Sequence, residues 1–144
     1  MHTLRNLIQR LDIVSATPSQ SVREVAELMT RARVGAIPVV EGERLVGLFT
    51  ERDLLTRVVV ADRDPRETRV SEVMTHEVVT AQLDDPVGRC VETMRRTGCR
   101  HLPVVHDGRA IAMLSMRDLL RDEVRELVEE LQLLRPHETV PPVA

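Results

Sequence analysis

Apolar residues recur along the chain with two periods, and the order in which the periods alternate is itself repeated. Over 3–11, Leu4, Leu7, Ile8 and Leu11 fall at helical spacing and predict a short amphipathic lead-in helix. Ile13 and Val14 predict a brief strand. Pro18, Ser21 and Glu24 form a helix start of the Ser-x-x-Glu capping type, followed by the apolar stripe Val22, Val25, Ala26, Met29 and Ala32, with Gly35 as the expected stop. Strands are predicted over 36–40 and 45–49, joined across Glu41-Gly42-Glu43-Arg44. The second strand, Leu45-Val46-Gly47-Leu48-Phe49, is apolar on both faces and therefore needs a layer on each side. A helix is predicted from about 51 to 61.

The same order then returns. Val78 and Val79 repeat the strand, Asp85-Pro86 start a helix with the stripe Val87, Cys90, Val91 and Met94, and strands over 100–105 and 110–114 flank Asp107-Gly108. Residues 14–55 align with 79–120 at a constant offset of 65, without insertion, and 14 of those 42 positions are identical. The identities include Val22/Val87, Met29/Met94, Pro38/Pro103, Val39/Val104 and Asp53/Asp118. The chain is a duplication. Each copy is too short to bury its own apolar surface well, so one body of 144 residues is expected. Unit 1 spans 12–61 after the lead-in helix at 3–11, a charged linker and lead-in cover 62–76, unit 2 spans 77–134, and 135–144 read as a flexible tail. The last helix runs on through Val124, Leu127, Val128 and Leu131, beyond the end of its counterpart, and this stripe needs a partner.

Where the central strand meets the last helix of each unit, the chain reads Gly47-Leu48-Phe49-Thr50-Glu51-Arg52-Asp53 and then Ala112-Met113-Leu114-Ser115-Met116-Arg117-Asp118. A hydroxyl with a carboxylate three residues on is a helix cap. It also places polar groups beside unpaired backbone N–H groups, where a helix start can hold an anion such as a sugar phosphate. Both readings stand on the residues alone.

Composition narrows the chemistry. The net charge is −3, and all 20 basic residues are arginine, so P-loop, Schiff-base and catalytic-base lysines are excluded. Phosphate must be held by Arg, His or backbone. Phe49 is the one aromatic residue, which removes stacking platforms for single-stranded nucleic acid and leaves aliphatic side chains to sandwich an adenine. Cys90 and Cys99 have no CxxC spacing and read as reduced thiols of a cytoplasmic protein. No apolar run approaches the roughly 20 residues of a membrane span, and the first residues do not begin a signal peptide. Cys99, His101, His106 and Asp107 match no zinc pattern. Arg89, Arg95, Arg96 and Arg100, interrupted by Glu92, read as a solvated helix face.

The paired motif, with Ile37-Pro38-Val39-Val40 and Leu102-Pro103-Val104-Val105, resembles the tandem CBS domains named after cystathionine β-synthase, over about residues 3–134. The resemblance implies an α+β fold: two β-α-β-β-α units related by a pseudo-two-fold axis, with a short N-terminal helix and an extended C-terminal one. It implies clefts that take an adenosine nucleotide such as AMP, ADP, ATP or NAD(H). By the same resemblance Asp53 and Asp118 accept from ribose hydroxyls, Gly47, Thr50 and Ser115 lie along ribose or phosphate, and Arg100 and His101 hold phosphate. The sequence departs from the family where Ala112 replaces the motif glycine and where Gly35-Ala36 stand opposite Arg100-His101. Close ligand approach at Gly47 predicts a tighter site at Asp53 than at Asp118.

The expected function is therefore a non-enzymatic regulatory module, free of metal, that binds an adenosine nucleotide, forms a homodimer through its CBS units and last helix, and signals to an unidentified client protein. Nucleic acid and membranes are not expected partners. The alternative is a dimerisation scaffold with vestigial clefts.

Overall fold

The computed structural model describes residues 3–8 and 13–134; Leu11 of the expected lead-in helix and the tail expected at 135–144 lie outside the described residues. Helix α1 (Leu4–Ile8) is followed by α2 (Val22–Ala32), which starts as the capping pattern predicts: the Ser21 hydroxyl accepts from the Glu24 N–H at 3.1 Å. Helix α2 stops earlier than expected. Arg33 takes a left-handed φ of 57° and its N–H reaches the Met29 and Thr30 carbonyls, so the termination is complete before Gly35.

Strands β1 (Ala36–Glu41) and β2 (Arg44–Thr50) form an antiparallel hairpin with Ala36 opposite Thr50, and Gly42 supplies the positive φ of the turn. A single turn, α3 (Glu51–Asp53), then leads into a π-helical stretch at Leu54–Val59, where an ordinary α-helix was expected. The Thr56 hydroxyl donates to the Arg52 carbonyl at 2.8 Å, sharing the acceptor that the α-helical ladder needs there. After α4 (Val70–Val73), the second copy gives β3 (Ala81–Gln82), α5 (Val87–Thr97), β4 (His101–His106), β5 (Arg109–Ser115) and α6 (Met116–Leu134).

The strands form one sheet in the order β1-β2-β5-β4-β3. The halves meet at Arg44 opposite Arg109 and diverge from there, which leaves a cleft between them. The first strand of each copy lies later than the predicted Ile13-Val14 and Val78-Val79. Ala16 bridges Val39, and Ala81 and Gln82 pair with Val104 and Val105, all parallel. Ala16 and Ala81 are small enough to bury fully under the following helix, whereas Ile13 and Val79 stay partly exposed.

Two cores result, and the lead-in segments are exchanged between them. Leu4 of α1 packs into the second copy's core with Met94, Leu102 and Leu114. Its N–H donates to Asp85 O, and Arg5 pairs with Asp84 at 2.8 Å. Val70, Val73 and Met74, which precede the second copy, pack instead into the first with Val25, Ile37 and Phe49. The exchange ties the copies together, as expected for units too small to close alone. Among the described residues no helix is long and apolar enough to cross a membrane.

A cleft between the two copies as candidate functional site

The cleft is a groove of about 1670 Å³, more than a drug-sized ligand needs, with Met29 and Met94 among the residues of its wall. The backbone brings equivalent pieces of both copies to it. In the second copy His101 pairs in register with Ser115, and the Met116 N–H donates to Arg100 O at 2.9 Å, so the start of β4 is pinned beside the start of α6. In the first copy Ala36 pairs with Thr50, and the Glu51 N–H donates to Gly35 O at 3.0 Å. The scaffold is the same and the side chains differ.

Arg100, His101, Ser115 and Asp118 all line this cleft, facing Gly35, Ala36 and Glu51 across it. Asp118 accepts through one oxygen, Oδ2, from the Ser115 N–H at 3.0 Å and the Ser115 hydroxyl at 2.8 Å. Its other oxygen has no hydrogen bond or ion pair among the described residues. Burial pushes the His101 imidazole below its ordinary value, Glu51 and Asp118 pull the other way, and Arg100 adds to the lowering.

Gly47, Thr50 and Asp53 are not brought to this cleft. Asp53 is buried, its Oδ2 accepts from the Thr50 N–H at 3.0 Å, and its Oδ1 faces Arg57 Nε at 3.6 Å. The Thr50 hydroxyl accepts from the Asp53 N–H at 3.1 Å, completing a capping box. Arg57 also donates to the Val73 and Met74 carbonyls, both at 3.1 Å, so this carboxylate belongs to a structural clamp on the linker. Gly47 has a packing reason as well: a Cβ there would lie 2.3 Å from Met74 Sδ, so the missing side chain makes room for the core.

The electrostatics of the cleft oppose those of the chain. Arg33, Arg100, Arg117, Arg121 and Arg125 line it against Glu51 and Asp118, an excess of three positive charges in a chain of net charge −3. Among the described residues Arg33, Arg100, Arg117 and Arg121 make no ion pair, whereas Arg125 is held by Asp122. Sequence reasoning missed Arg33, Arg117 and Arg121. Arg117 directly precedes a motif aspartate, but nothing in the sequence places Arg33, on a different copy, beside it. Cys99 also lines the cleft, while Cys90 is buried in the second core, where burial, aided by Asp85, pushes its thiol up to about 11. Among the described residues no group of three or more His, Cys, Asp or Glu is placed to hold a metal ion.

Comparison with known proteins agrees with this architecture. The profile of the CBS domain matches twice, over residues 4–60 and 70–125. The chain is 36% identical over 126 residues to the CBS domain-containing protein CBSX3, mitochondrial, of Arabidopsis thaliana, matching with 84% of its own length and spanning 61% of that relative's. It is 35% identical over 107 residues to the CBS domain-containing protein YhcV of Bacillus subtilis, with 74% and 76% of the two chains covered. A CBS domain protein from Pyrobaculum aerophilum, solved in complex with AMP, superposes with a TM-score of 0.77 at 30% identity, covering 89% of this chain and 99% of the other. A CBS-domain containing protein from Agrobacterium tumefaciens gives 0.77 at 29% identity, with 85% and 99% covered. The duplicated chain, with its exchanged lead-ins and its cleft between the copies, belongs to the CBS domain family as a tandem pair.

Proposed function

We propose that this CBS pair is a non-enzymatic regulatory module that binds an adenosine nucleotide, of the AMP, ADP, ATP or NAD(H) type, in the cleft between its copies. The observation that carries the reading is the concentration, around Ser115 and Asp118, of arginines that make no ion pair among the described residues. Arg100, Arg117 and Arg121 supply charge for phosphate, and the unengaged oxygen of Asp118 is an acceptor for ribose hydroxyls. Met113 and Met116, half-buried in the wall, offer apolar surface for a purine in a chain with no aromatic residue in the cleft. The AMP complex of the Pyrobaculum relative supports the ligand class. His101 beside Arg100 serves phosphate binding, whereas Thr50, Asp53 and Gly47 serve the fold of the first copy.

The module acts as a homodimer that passes the bound state to a client protein. Support comes from α6, where Leu120, Val124, Leu127, Leu131 and Leu134 recur at alternating steps of four and three and are all more than half exposed. That is the seam of a two-helix coiled coil, and a second copy supplies the same seam. The same seam favours the rival reading, a dimerisation scaffold with an idle cleft. A melting screen against AMP, ADP, ATP, NAD and NADH separates the two, because a ligand at about 100 times its Kd adds roughly 2.7 kcal/mol to stability. A rise in Tm with at least one nucleotide is expected; no rise with any of them at millimolar concentration overturns the binding reading and leaves the scaffold.

A further inference from the structure

At the strand-to-helix junction the two ends of the cleft are built on equivalent backbone but carry different charges. At the offset of 65, Arg100 corresponds to Gly35 and Met116 to Glu51. The second copy therefore presents a cation and an apolar neighbour where the first presents no side chain and a carboxylate. That carboxylate is folded back over Gly35: a Cβ on Gly35 would lie 3.3 Å from both Glu51 Cδ and Oε2. An arginine at 35 and the glutamate at 51 could not both keep these places. Glu51 lines the cleft and is exposed there, and its carboxylate makes no hydrogen bond or ion pair among the described residues. It is a free negative charge in the groove that the arginines otherwise make positive.

We propose that Glu51 is a specificity-determining residue that restricts the cleft to one phosphorylated nucleotide per chain, held with its phosphate at the Arg100 end. This rests on the nucleotide-binding reading above and deepens it. A first nucleotide with ribose at Asp118 and phosphate at Arg100 is attracted by Arg100, Arg117 and Arg121, which have no salt-bridge partner among the described residues. A second, related by the pseudo-two-fold axis, brings its phosphate to Gly35, where Arg100 has no counterpart, Arg33 is the one cleft-lining arginine of that copy, and Glu51 opposes it. The same carboxylate weighs on the first ligand in proportion to its charge, so it penalises ATP more than AMP.

The test is titration calorimetry of AMP and ATP into wild type, Glu51→Gln, and Glu129→Gln, the last an equal change of charge at an exposed position of α6 outside the cleft. Wild type is expected to bind one AMP per chain. Glu51→Gln is expected to tighten AMP about three- to tenfold and ATP by a larger factor, a range set by removing one like charge in a partly screened cleft. Glu129→Gln should change neither by more than about twofold. Two equal sites in wild type, or a Glu51→Gln effect no larger than that of Glu129→Gln, overturns the role of Glu51 while leaving nucleotide binding intact. Binding of no nucleotide to any of the three proteins overturns the functional reading and this inference with it.

Discussion

Replacing Gly47 by alanine separates a residue kept for packing from one kept for a ligand. The new Cβ would lie 2.3 Å from Met74 Sδ, 2.8 Å from Cε and 2.9 Å from Cγ, well inside contact distance. Met74 is 5% exposed and packs in the first core with Val70 and Val73, so its thioether must move within a filled space. Overpacking of this kind costs about 1–3 kcal/mol. Against it stands the roughly 0.5–1 kcal/mol that alanine returns over glycine in a strand. The net expectation is a loss of about 1–2 kcal/mol, or about 3–8 °C in Tm for a chain of this size. Urea denaturation measures the loss, and AMP titration well below the transition should find affinity unchanged within about twofold. The double substitution Gly47→Ala with Met74→Ala should cost less than the sum of the two single ones, since the methyl then occupies space the thioether has left. A Gly47→Ala protein as stable as wild type but tenfold weaker for AMP would refute this reasoning and return the glycine to the ligand.

Three further outcomes are expected. Arg100→Ala should weaken AMP about ten- to a hundredfold by losing a charge-assisted bond to phosphate, and adenosine by much less; equal losses for both place Arg100 away from the phosphate. Because burial holds His101 below its ordinary value, the neutral ring favours the fold above pH about 6.5, and that contribution is lost as pH falls through the lowered value. A bound phosphate reverses the preference, so AMP binding near pH 6.5 should take up a proton at His101, seen as calorimetric enthalpies that vary with buffer ionisation heat in wild type and less in His101→Gln; identical dependence in the two would exclude the histidine. Leu127→Glu, in the middle of the exposed α6 seam, should shift the protein towards monomer by light scattering at micromolar concentration, and a monomeric wild type would sink the dimer.

Much of the fold was legible because duplication doubles every signal. The paired hairpins and the apolar stripes of α2 and α5 appear in both copies and fold as the pattern predicts, whereas the Ser21 cap belongs to the first copy alone, its counterpart Pro86 making no side-chain cap. What was not legible depends on contacts made across the copies. The early stop at Arg33 needs a left-handed arginine, which no propensity announces. The exchange of α1 and α4 between the cores is a long-range choice, since Leu4 and Val70 are equally apolar and either could cover either copy. The candidate site was half legible for the same reason. The motif marks Thr50-Asp53 and Ser115-Asp118 as alike, and as caps they are alike. Only the structure shows Arg57, seated by α4, against the free oxygen of Asp53, while its counterpart Asp122 turns away to Arg125 and leaves Asp118 open.

That difference says how a duplicated scaffold acquires a directional site. Positions bound by packing stay identical across the repeat, Val22 with Val87, Met29 with Met94 and Val39 with Val104, all buried. Cleft or clamp positions change charge instead: Arg33 to Gly98, Gly35 to Arg100, Glu51 to Met116, Thr56 to Arg121, Val60 to Arg125, and Arg57 to Asp122. At the strand-to-helix junction the backbone is the same in both copies, for the Gly35–Glu51 and Arg100–Met116 hydrogen bonds differ by 0.1 Å, at 3.0 and 2.9 Å, whereas beyond it Leu54–Val59 is π-helical and its counterpart in α6 is α-helical. With the junction alike, side-chain charge there is what favours one end of the cleft for an anion. A ligand that enters with one orientation then contacts the copies unequally, through Arg100 and α6 on one side and through Gly35 on the other. Helix α6 carries both Arg117 and Arg121 of the cleft and the exposed seam that begins at Leu120. On the proposed reading, an occupant held by those arginines and a second copy docked on that seam meet the same helix, and the unequal charge of the two copies is what directs the occupant there.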